Sequence, residues 1–202
     1  FTRITQQRPY VILKWAETSN GLFAPVEPGQ AWISNAASKQ LVHKWRAEED
    51  AVLVGTATAL LDNPSLTVRL WKGRNPKRVL IDRDLVVPAE AALYDEAAET
   101  IVFNAKETDW QAKRKLVALE NFPLYLAQNI LYQLYLMDVQ SIIIEGGVKT
   151  LQLFIDAGVW DEARVFVSTA SWEQGIAAPA LNRSPASSVA VGDDTLSYYF
   201  NK

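Results

Sequence analysis

Two charged side chains, Lys14 and Glu145, stand near the carboxyl ends of apolar runs in the sequence. Glu145 directly follows three isoleucines and precedes Gly146–Gly147, and Lys14 lies late in the run from Tyr10 to Ala16. Open α/β sheets bind their ligands at the carboxyl ends of their strands. An amine and a carboxylate placed there could direct protons during a reaction on a bound ligand. Spacing alone favours a different interpretation of Lys14, a strand-end cation paired with a surface carboxylate.

The Gly146–Gly147 pair joins the isoleucine strand to an amphipathic segment. That segment carries Leu151, Phe154 and Ile155 on one side and ends at Gly158, a residue suited to a left-handed helix cap. A strand, a glycine turn and a helix can present bare backbone N–H groups to a phosphate. The same pattern also makes a tight turn without a ligand, and the glycines alone leave both interpretations open.

Composition narrows the class of protein. The 202 residues carry a net charge of −3, with 49% hydrophobic and 21% charged residues, which suits one globular domain and gives no reason to expect nucleic acid or acidic membranes as partners. Cysteine is absent and histidine occurs once, so disulfides and thiol nucleophiles are excluded and no metal site is expected. No apolar run approaches the roughly 20 residues of a membrane span, and no signal peptide is recognisable. A cytoplasmic location is therefore expected.

Strands and helices alternate along the chain. Strands are predicted at 10–16, 51–55, 78–82, 100–104, 123–127, around Ile142 and at 162–168, with a terminal hairpin of 188–191 and 195–200. Helices are predicted from Ser34 or Asn35 to about Glu48, from 109 to 120, from 130 to 137 with Asn129 as cap, and after Gly147. The remaining segments are expected to be a linker at residues 1–8 and a loop at 22–30. The pattern predicts an α/β fold: one αβα sandwich with a mainly parallel sheet and an antiparallel C-terminal hairpin.

Several polar residues can be placed on these elements. In the helix that ends near Glu48, His43 lies on the polar side and is predicted to be solvated. Arg46 lies at the edge of the buried side near the helix C-terminus, where it could also cap carbonyl groups. Thr58 and Asp62 are four residues apart, so a helical turn would place them on one face.

A set of short segments, in this order, resembles the reductase domain of riboflavin biosynthesis. The segments are Arg8–Ala16, Ser19–Gly21, Trp32–Ser34 with Arg46, Val54–Thr58, Asp62–Arg69, Arg78–Asp82, Ile144–Gly147 and Trp160–Glu162. The resemblance implies a dihydrofolate-reductase-like fold and a homodimer. It implies reduction, with NADPH, of the ribosyl group of 5-amino-6-(5-phosphoribosylamino)uracil to ribityl. Bacterial members usually follow a zinc deaminase domain whose signature is absent here, and the start at Phe1 suggests a chain cut after that domain.

The resemblance also assigns roles to individual residues. It places the NADPH contacts on Ala16, Trp32, Ser34, Thr58, Asp62, Gly146, Gly147, Val148, Lys149, Thr150 and Leu151. It places the contacts to the phosphorylated substrate on Gln30, Arg46, Leu66, Arg69 and Glu145, although the family often has Ser at the position of Gln30. Lys14 is the candidate proton donor, with Glu145 orienting it. Arg83 follows a strand where an adenosine phosphate could lie, and it could equally be a solvated turn residue.

Two other classes of function stay open at this point. The domain could be a catalytically silent nucleotide-binding or dimerisation module. It could also be a pterin reductase of the same fold, although a pterin has no phosphate for Arg46 and Arg69 to bind.

Overall fold

A computed structural model describes residues 2–26 and 33–201 of the chain. The five α-helices are α1 Thr2–Gln6, α2 Ala36–Glu48, α3 Thr56–Asp62, α4 Leu126–Leu136 and α5 Val148–Asp156. The first six strands are β1 Tyr10–Glu17, β2 Leu22–Ala24, β3 Ala51–Gly55, β4 Lys77–Ile81, β5 Thr100–Asn104 and β6 Asp109–Trp110. The other six are β7 Arg114–Ala118, β8 Ser141–Ile144, β9 Glu162–Val167, β10 Ile176–Ala177, β11 Ser187–Val191 and β12 Asp194–Phe200. Within the described residues, no helix is both long and apolar enough to cross a membrane.

The main sheet has ten strands in the order β11-β12-β9-β1-β8-β3-β4-β5-β7-β6. The seven strands from β9 to β7 in that order are parallel, and β11, β12 and β6 pair antiparallel. β2 and β10 form a separate antiparallel pair. The predicted mainly parallel sheet with an antiparallel C-terminal hairpin is confirmed.

Helices cover both faces of this sheet, because the central strands are apolar on both sides. Val11 and Leu13 pack with α4 and α5 on one face, and Ile12 packs with α2 and α3 on the other. α5 buries Leu151 and Phe154 completely, and each such side chain contributes about 1.5–3 kcal/mol of transfer free energy. Gly158 ends this helix region with φ +65°, as its sequence position predicted. The molecule is the predicted αβα sandwich.

The first residues are not an extended linker. Thr2–Gln6 form α1, and Arg3 of this helix pairs with Asp138 at 2.5 Å. Arg8 is buried and pairs with Asp161. The polar composition that suggested a linker instead supplies ion pairs that hold this segment on the domain.

Between residues 109 and 137, the predicted helix at 109–120 and the predicted strand at 123–127 were wrong, whereas the helix predicted from 130 to 137 is confirmed as the larger part of α4. The segment 109–120 contains the strands β6 and β7 and no helix. In β7, the neighbours Leu116 and Val117 are buried on opposite faces of the sheet, as alternate side chains of a strand are. Residues 123–127 are a turn and the first turn of α4, not a strand. The α4 residues Ala127, Ile130, Leu131 and Leu134 are all buried, at the spacing of one helix face. α4 starts at Leu126, three residues before the predicted cap Asn129. The helix predicted at 109–120 fails for another reason, because the pairing of β7 with β5 overrides the local helix preference.

Candidate active site

The strand order brings Lys14 and Glu145 into contact. β1 and β3 both flank β8, with Leu13 and Leu53 in register with Ile144. One residue further along each strand, Lys14 and Glu145 are neighbours. The Nζ atom of Lys14 lies 3.8 Å from Oε2 of Glu145, and the two side chains are 18% and 7% exposed. The predicted pair is thus present at the carboxyl edge of the central strands.

Arg46 completes this group from α2. Its Nε and Nη2 each donate a hydrogen bond of 2.8 Å to the two carboxylate oxygens of Glu145. This two-point geometry is the strongest form of arginine–carboxylate pairing. Arg46 therefore does not cap its own helix, the alternative that its sequence position allowed. Asn35 caps the other end of α2, where its side chain accepts the N–H of Ser38.

The three charges shift one another's pKa values. Burial alone would raise the pKa of Glu145, but the positive charges of Arg46 and Lys14 and the hydrogen bonds from Arg46 lower it to about 2. Burial lowers the pKa of Lys14, since Glu145 compensates only in part and Arg46 adds repulsion. Burial also opposes the charge on Arg46, but Glu145 outweighs it and raises the pKa of Arg46. Glu145 is thus held ionised, and the Lys14 amine is brought closer to releasing its proton.

Glycines allow three elements to meet tightly beside this group. A Cβ atom on Gly146 would lie 2.6 Å from Cβ of Thr150, and one on Gly55 would lie 2.5 Å from Oγ1 of Thr150. No side chain fits at these distances, so Gly55 and Gly146 allow β3 and β8 to approach α5. A Cβ on Gly147 would meet only Oγ1 of Thr58, at an ordinary 3.5 Å. Packing within the protein therefore does not require a glycine at position 147.

Gly147 is also the N-cap of α5 and gives its first N–H groups no side-chain acceptor. Such N–H groups and the positive end of the helix dipole attract phosphate. The side chain of Leu151 belongs to the core, whereas Lys149 is exposed and Val148 half-buried. The predicted cofactor segment runs from Gly146 to Leu151. A ligand can reach its backbone at the start of α5 and the side chain of Lys149.

The other predicted cofactor residues are spread over neighbouring elements. Ala16 lies on β1, and the half-buried Ser34 precedes the cap of α2. Thr58 and Asp62 share the short helix α3, as their spacing predicted, with Asp62 exposed at its end. Arg83 is exposed just beyond β4, where its carbonyl accepts the N–H of Ala105. Gln30 and Trp32 lie outside the described residues.

The predicted substrate residues Leu66 and Arg69 lie in the segment after α3. Leu66 is buried with φ +53°, a backbone conformation that leucine rarely adopts. The side chain of Leu66 is therefore part of the core and is not available to a ligand. The exposed Arg69 donates from Nη1 to the hydroxyl of Ser65 and, at 3.2 Å, to that of Thr67. In the described part of the chain, no three His, Cys, Asp or Glu residues lie together as metal ligands would.

The prediction that His43 is solvated was wrong. His43 is 7% exposed, and its Nδ1 accepts the backbone N–H of Arg69 at 3.1 Å. The signal available in the sequence was the three-residue spacing between His43 and Arg46, which places both on one side of a helix.

Comparison with known proteins identifies the family. The profile of the RibD C-terminal domain matches residues 9–170. The riboflavin biosynthesis protein RibD of Aquifex aeolicus is 37% identical over an alignment of 183 residues, and the match covers 87% of this chain and 51% of that protein. The chain spans about half the length of the curated relatives it matches.

Solved structures agree with this assignment. A deaminase/5-amino-6-(5-phosphoribosylamino)uracil reductase of Thermotoga maritima is 31% identical with a TM-score of 0.84, over 98% of this chain and 58% of that one. A dihydrofolate reductase of Enterococcus faecalis in complex with NADP(H) shares only the fold, at 15% identity and a TM-score of 0.55 over 96% of this chain and 97% of that one. The predicted dihydrofolate-reductase-like fold is confirmed, and the chain belongs to the RibD C-terminal domain family.

Proposed function

We propose that this domain reduces the ribosyl group of 5-amino-6-(5-phosphoribosylamino)uracil to ribityl with NADPH as the hydride donor. The observation that carries the proposal is the buried group of Lys14, Glu145 and Arg46 beside the Gly146–Gly147 turn. Two supports come from similar proteins: the Thermotoga maritima protein is named as a reductase of this compound, and the Enterococcus faecalis reductase binds NADP(H).

The residues around Gly147 fit a dinucleotide. Its pyrophosphate would lie against the backbone at the start of α5, with the exposed amine of Lys149 nearby. A Cβ atom on Gly147 would have only the Thr58 hydroxyl as a neighbour, so a ligand phosphate can approach the backbone of Gly147 closely. Ser34, Thr58 and Asp62 would hold the remaining polar groups of the cofactor. When bound, NADPH supplies a hydride to C1 of the substrate's sugar.

Proton transfer in this site is assigned by the direction of the pKa shifts. Opening of the ribose ring turns C1 into an iminium carbon, and the ring oxygen released from C1 takes up a proton. The hydride then reduces the iminium to the amine. Glu145, with a pKa of about 2, is ionised near neutral pH and can only accept hydrogen bonds. Lys14 has a lowered pKa, and its Nζ carries N–H donors. Lys14 therefore polarises or protonates the ring oxygen, and Glu145 orients Lys14.

The phosphate of the substrate would be held by Arg69 with Arg46. Arg46 directs Nε and Nη2 at Glu145, so it can offer a substrate fewer N–H groups than a free arginine. Arg69 is exposed, and its guanidinium is oriented by Ser65 and Thr67. Guanidinium groups bind phosphate with paired, charge-assisted hydrogen bonds.

The test is an assay of the chain with the phosphorylated substrate and NADPH, with dihydrofolate as a control substrate. We expect ribityl product from the first substrate and no turnover of the second. Cofactor binding without either reaction would favour the silent nucleotide-binding module, and reduction of dihydrofolate would favour the pterin reductase.

The cofactor preference has a test of its own, because we expect the exposed Arg83 to contact an adenosine phosphate of NADPH. We expect a fluorescence titration to give tighter binding of NADPH than of NADH, and Arg83→Ala to reduce the difference. Equal affinities of the wild-type chain for the two cofactors would contradict the preference.

We further propose that the domain works in the cytoplasm as a homodimer, together with an N-terminal deaminase domain. The deaminase domain is supported by two findings: the matched relatives are about twice as long as the matched region, and the Thermotoga maritima protein is named as both a deaminase and a reductase. Light scattering on the chain at several concentrations tests the dimer, and a constant monomer mass would contradict it.

A further inference from the structure

His43 connects α2 to the segment that carries Arg69. Its Nδ1 accepts the backbone N–H of Arg69 at 3.1 Å, in a position where His43 is only 7% exposed. Close packing at Gly73 also ties this segment to α2, since a Cβ there would lie 2.5 Å from Cβ of Ala47. The hydrogen bond is therefore part of a contact that fixes the segment on the helix.

The charges facing His43 favour its neutral form. Burial lowers the pKa of His43, and the cations of Arg46 from α2 and Arg69 from the following segment lower it further. Glu145, beyond β8, and the backbone of Thr67 act in the opposite direction but do not outweigh them. A neutral imidazole that accepts at Nδ1 must carry its proton on Nε2. The environment thus selects one protonation state and one tautomer.

We propose that His43 is a positioning residue for phosphate binding, which holds the Arg69 backbone so that the Arg69 guanidinium faces the substrate's phosphate. This inference rests on the proposed function, because it takes Arg69 as a phosphate ligand. His43 itself does not touch the substrate; it acts through the hydrogen bond from Arg69. An acceptor at the Nδ1 position is the property that the role requires.

The tautomer can be measured directly, because His43 is the only histidine in the chain. A ¹⁵N–¹H long-range correlation spectrum of wild-type protein labelled at histidine gives one imidazole and no assignment problem. We expect a neutral ring at pH 7 with the proton on Nε2. A proton on Nδ1, or a charged ring at pH 7, would overturn the proposal without any variant having to fold.

Affinity for ribose 5-phosphate tests the consequence without relying on turnover. In His43→Asn the amide oxygen can replace Nδ1 as acceptor, whereas His43→Leu removes the acceptor. We expect calorimetry to show a Kd about 3- to 10-fold higher for His43→Leu, the value of one net hydrogen bond, and a Kd close to wild type for His43→Asn. The cofactor Kd should not change in either variant. Gln40→Leu, at an exposed position one turn earlier on α2, is the matched control and should bind like wild type.

The outcomes separate this inference from the proposed function. Equal Kd values for wild type and His43→Leu, or equal losses in the Leu and Asn variants, would overturn the role of His43 even if the enzyme is active. Absence of ribose 5-phosphate binding to the wild type would also overturn it. If the wild type binds ribose 5-phosphate, His43→Leu weakens this binding, and the phosphorylated pyrimidine is not reduced, then His43 has its role and the proposed reaction is wrong.

Discussion

Arg8–Asp161 and Arg46–Glu145 are both buried arginine–carboxylate pairs, but their chemical settings differ. Arg8 donates to both oxygens of Asp161, at 2.5 and 3.0 Å, near the amino end of β1. Arg46 donates to both oxygens of Glu145, at 2.8 Å each, beyond the carboxyl end of β8. By distance and burial alone, the two pairs are alike.

Their surroundings differ in charge. Asp161 also accepts the backbone N–H of Val11 at 2.8 Å and the hydroxyl of Thr2 at 3.4 Å, so one cation and one anion are balanced and the carboxylate is saturated. Glu145 has two cations beside it, Arg46 and Lys14. When Lys14 is protonated, these three residues together carry one uncompensated positive charge. A buried ion pair is therefore weak support for a functional site, whereas an unbalanced buried charge at the ligand-binding edge is stronger support.

The largest expected effect is on turnover, from Lys14→Met. Removal of a positioned proton donor should lower the rate about 10²- to 10⁴-fold, while the cofactor Kd stays unchanged and the balanced Arg46–Glu145 pair keeps the protein folded. Steady-state kinetics and a cofactor titration measure the two quantities. Lys44→Met removes a partly exposed cation from α2 and should leave both unchanged. Near-normal turnover of Lys14→Met would make Lys14 a structural cation, like Arg8.

Arg8→Met should give the opposite result, a loss of stability without a specific loss of turnover. It leaves Asp161 buried without its cation, which typically costs about 3–5 kcal/mol of unfolding free energy. Urea unfolding measures this cost. The control Arg3→Met removes an exposed pair with Asp138, worth about 1 kcal/mol or less. If Arg8→Met lowers kcat by as much as Lys14→Met at a temperature where it is folded, the contrast between the two pairs fails.

Glu145 should make the stability depend on acid pH. Its folded-state pKa of about 2 lies below its ordinary 4.5, so its contribution is fully present above pH 4.5 and is lost as pH falls toward 2. Between these limits the wild type should lose on the order of 3 kcal/mol more than Glu145→Gln. Unfolding free energies of the wild type and of Glu145→Gln at several pH values test this. Identical pH profiles for the wild type and Glu145→Gln would contradict the lowered pKa.

A smaller effect than these three is expected on substrate affinity, from Arg69→Ala. Loss of a charge-assisted bond to phosphate, worth about 1.5–3 kcal/mol, should raise KM roughly 10- to 100-fold with little change in melting temperature, because Arg69 is exposed. Arg46→Ala should raise KM and also lower the melting temperature, since it leaves Glu145 with Lys14 alone. Arg74→Ala, at another exposed arginine of the same segment, should leave KM unchanged. Lower melting temperatures with unchanged KM in both test variants would contradict the phosphate clamp.

The central strands, the Gly146–Gly147 turn and the helix after it could all be predicted from local sequence patterns. Consecutive β-branched apolar residues such as Ile142 to Ile144 are satisfied only in a strand covered on both faces. A glutamate directly after such a strand lies at the ligand-binding edge in any parallel sheet. For the same reason, the positions of Lys14 and Glu145 could be predicted without knowledge of the strand order.

The partner of each charged side chain, by contrast, could not be predicted without the three-dimensional fold. Arg46 and Glu145 are 99 positions apart, and Arg8 and Asp161 are 153 apart, so their pairing depends on strand order and on where α2 lies on the sheet. The burial of His43 depends on the segment folded over α2, and β7 is a strand because β5 has a free edge beside it. Local sequence specifies which side chains are charged or apolar. Their partners and their burial depend on elements that are distant in sequence and meet in the fold. Partners and burial in turn set the pKa values on which the proposed chemistry depends.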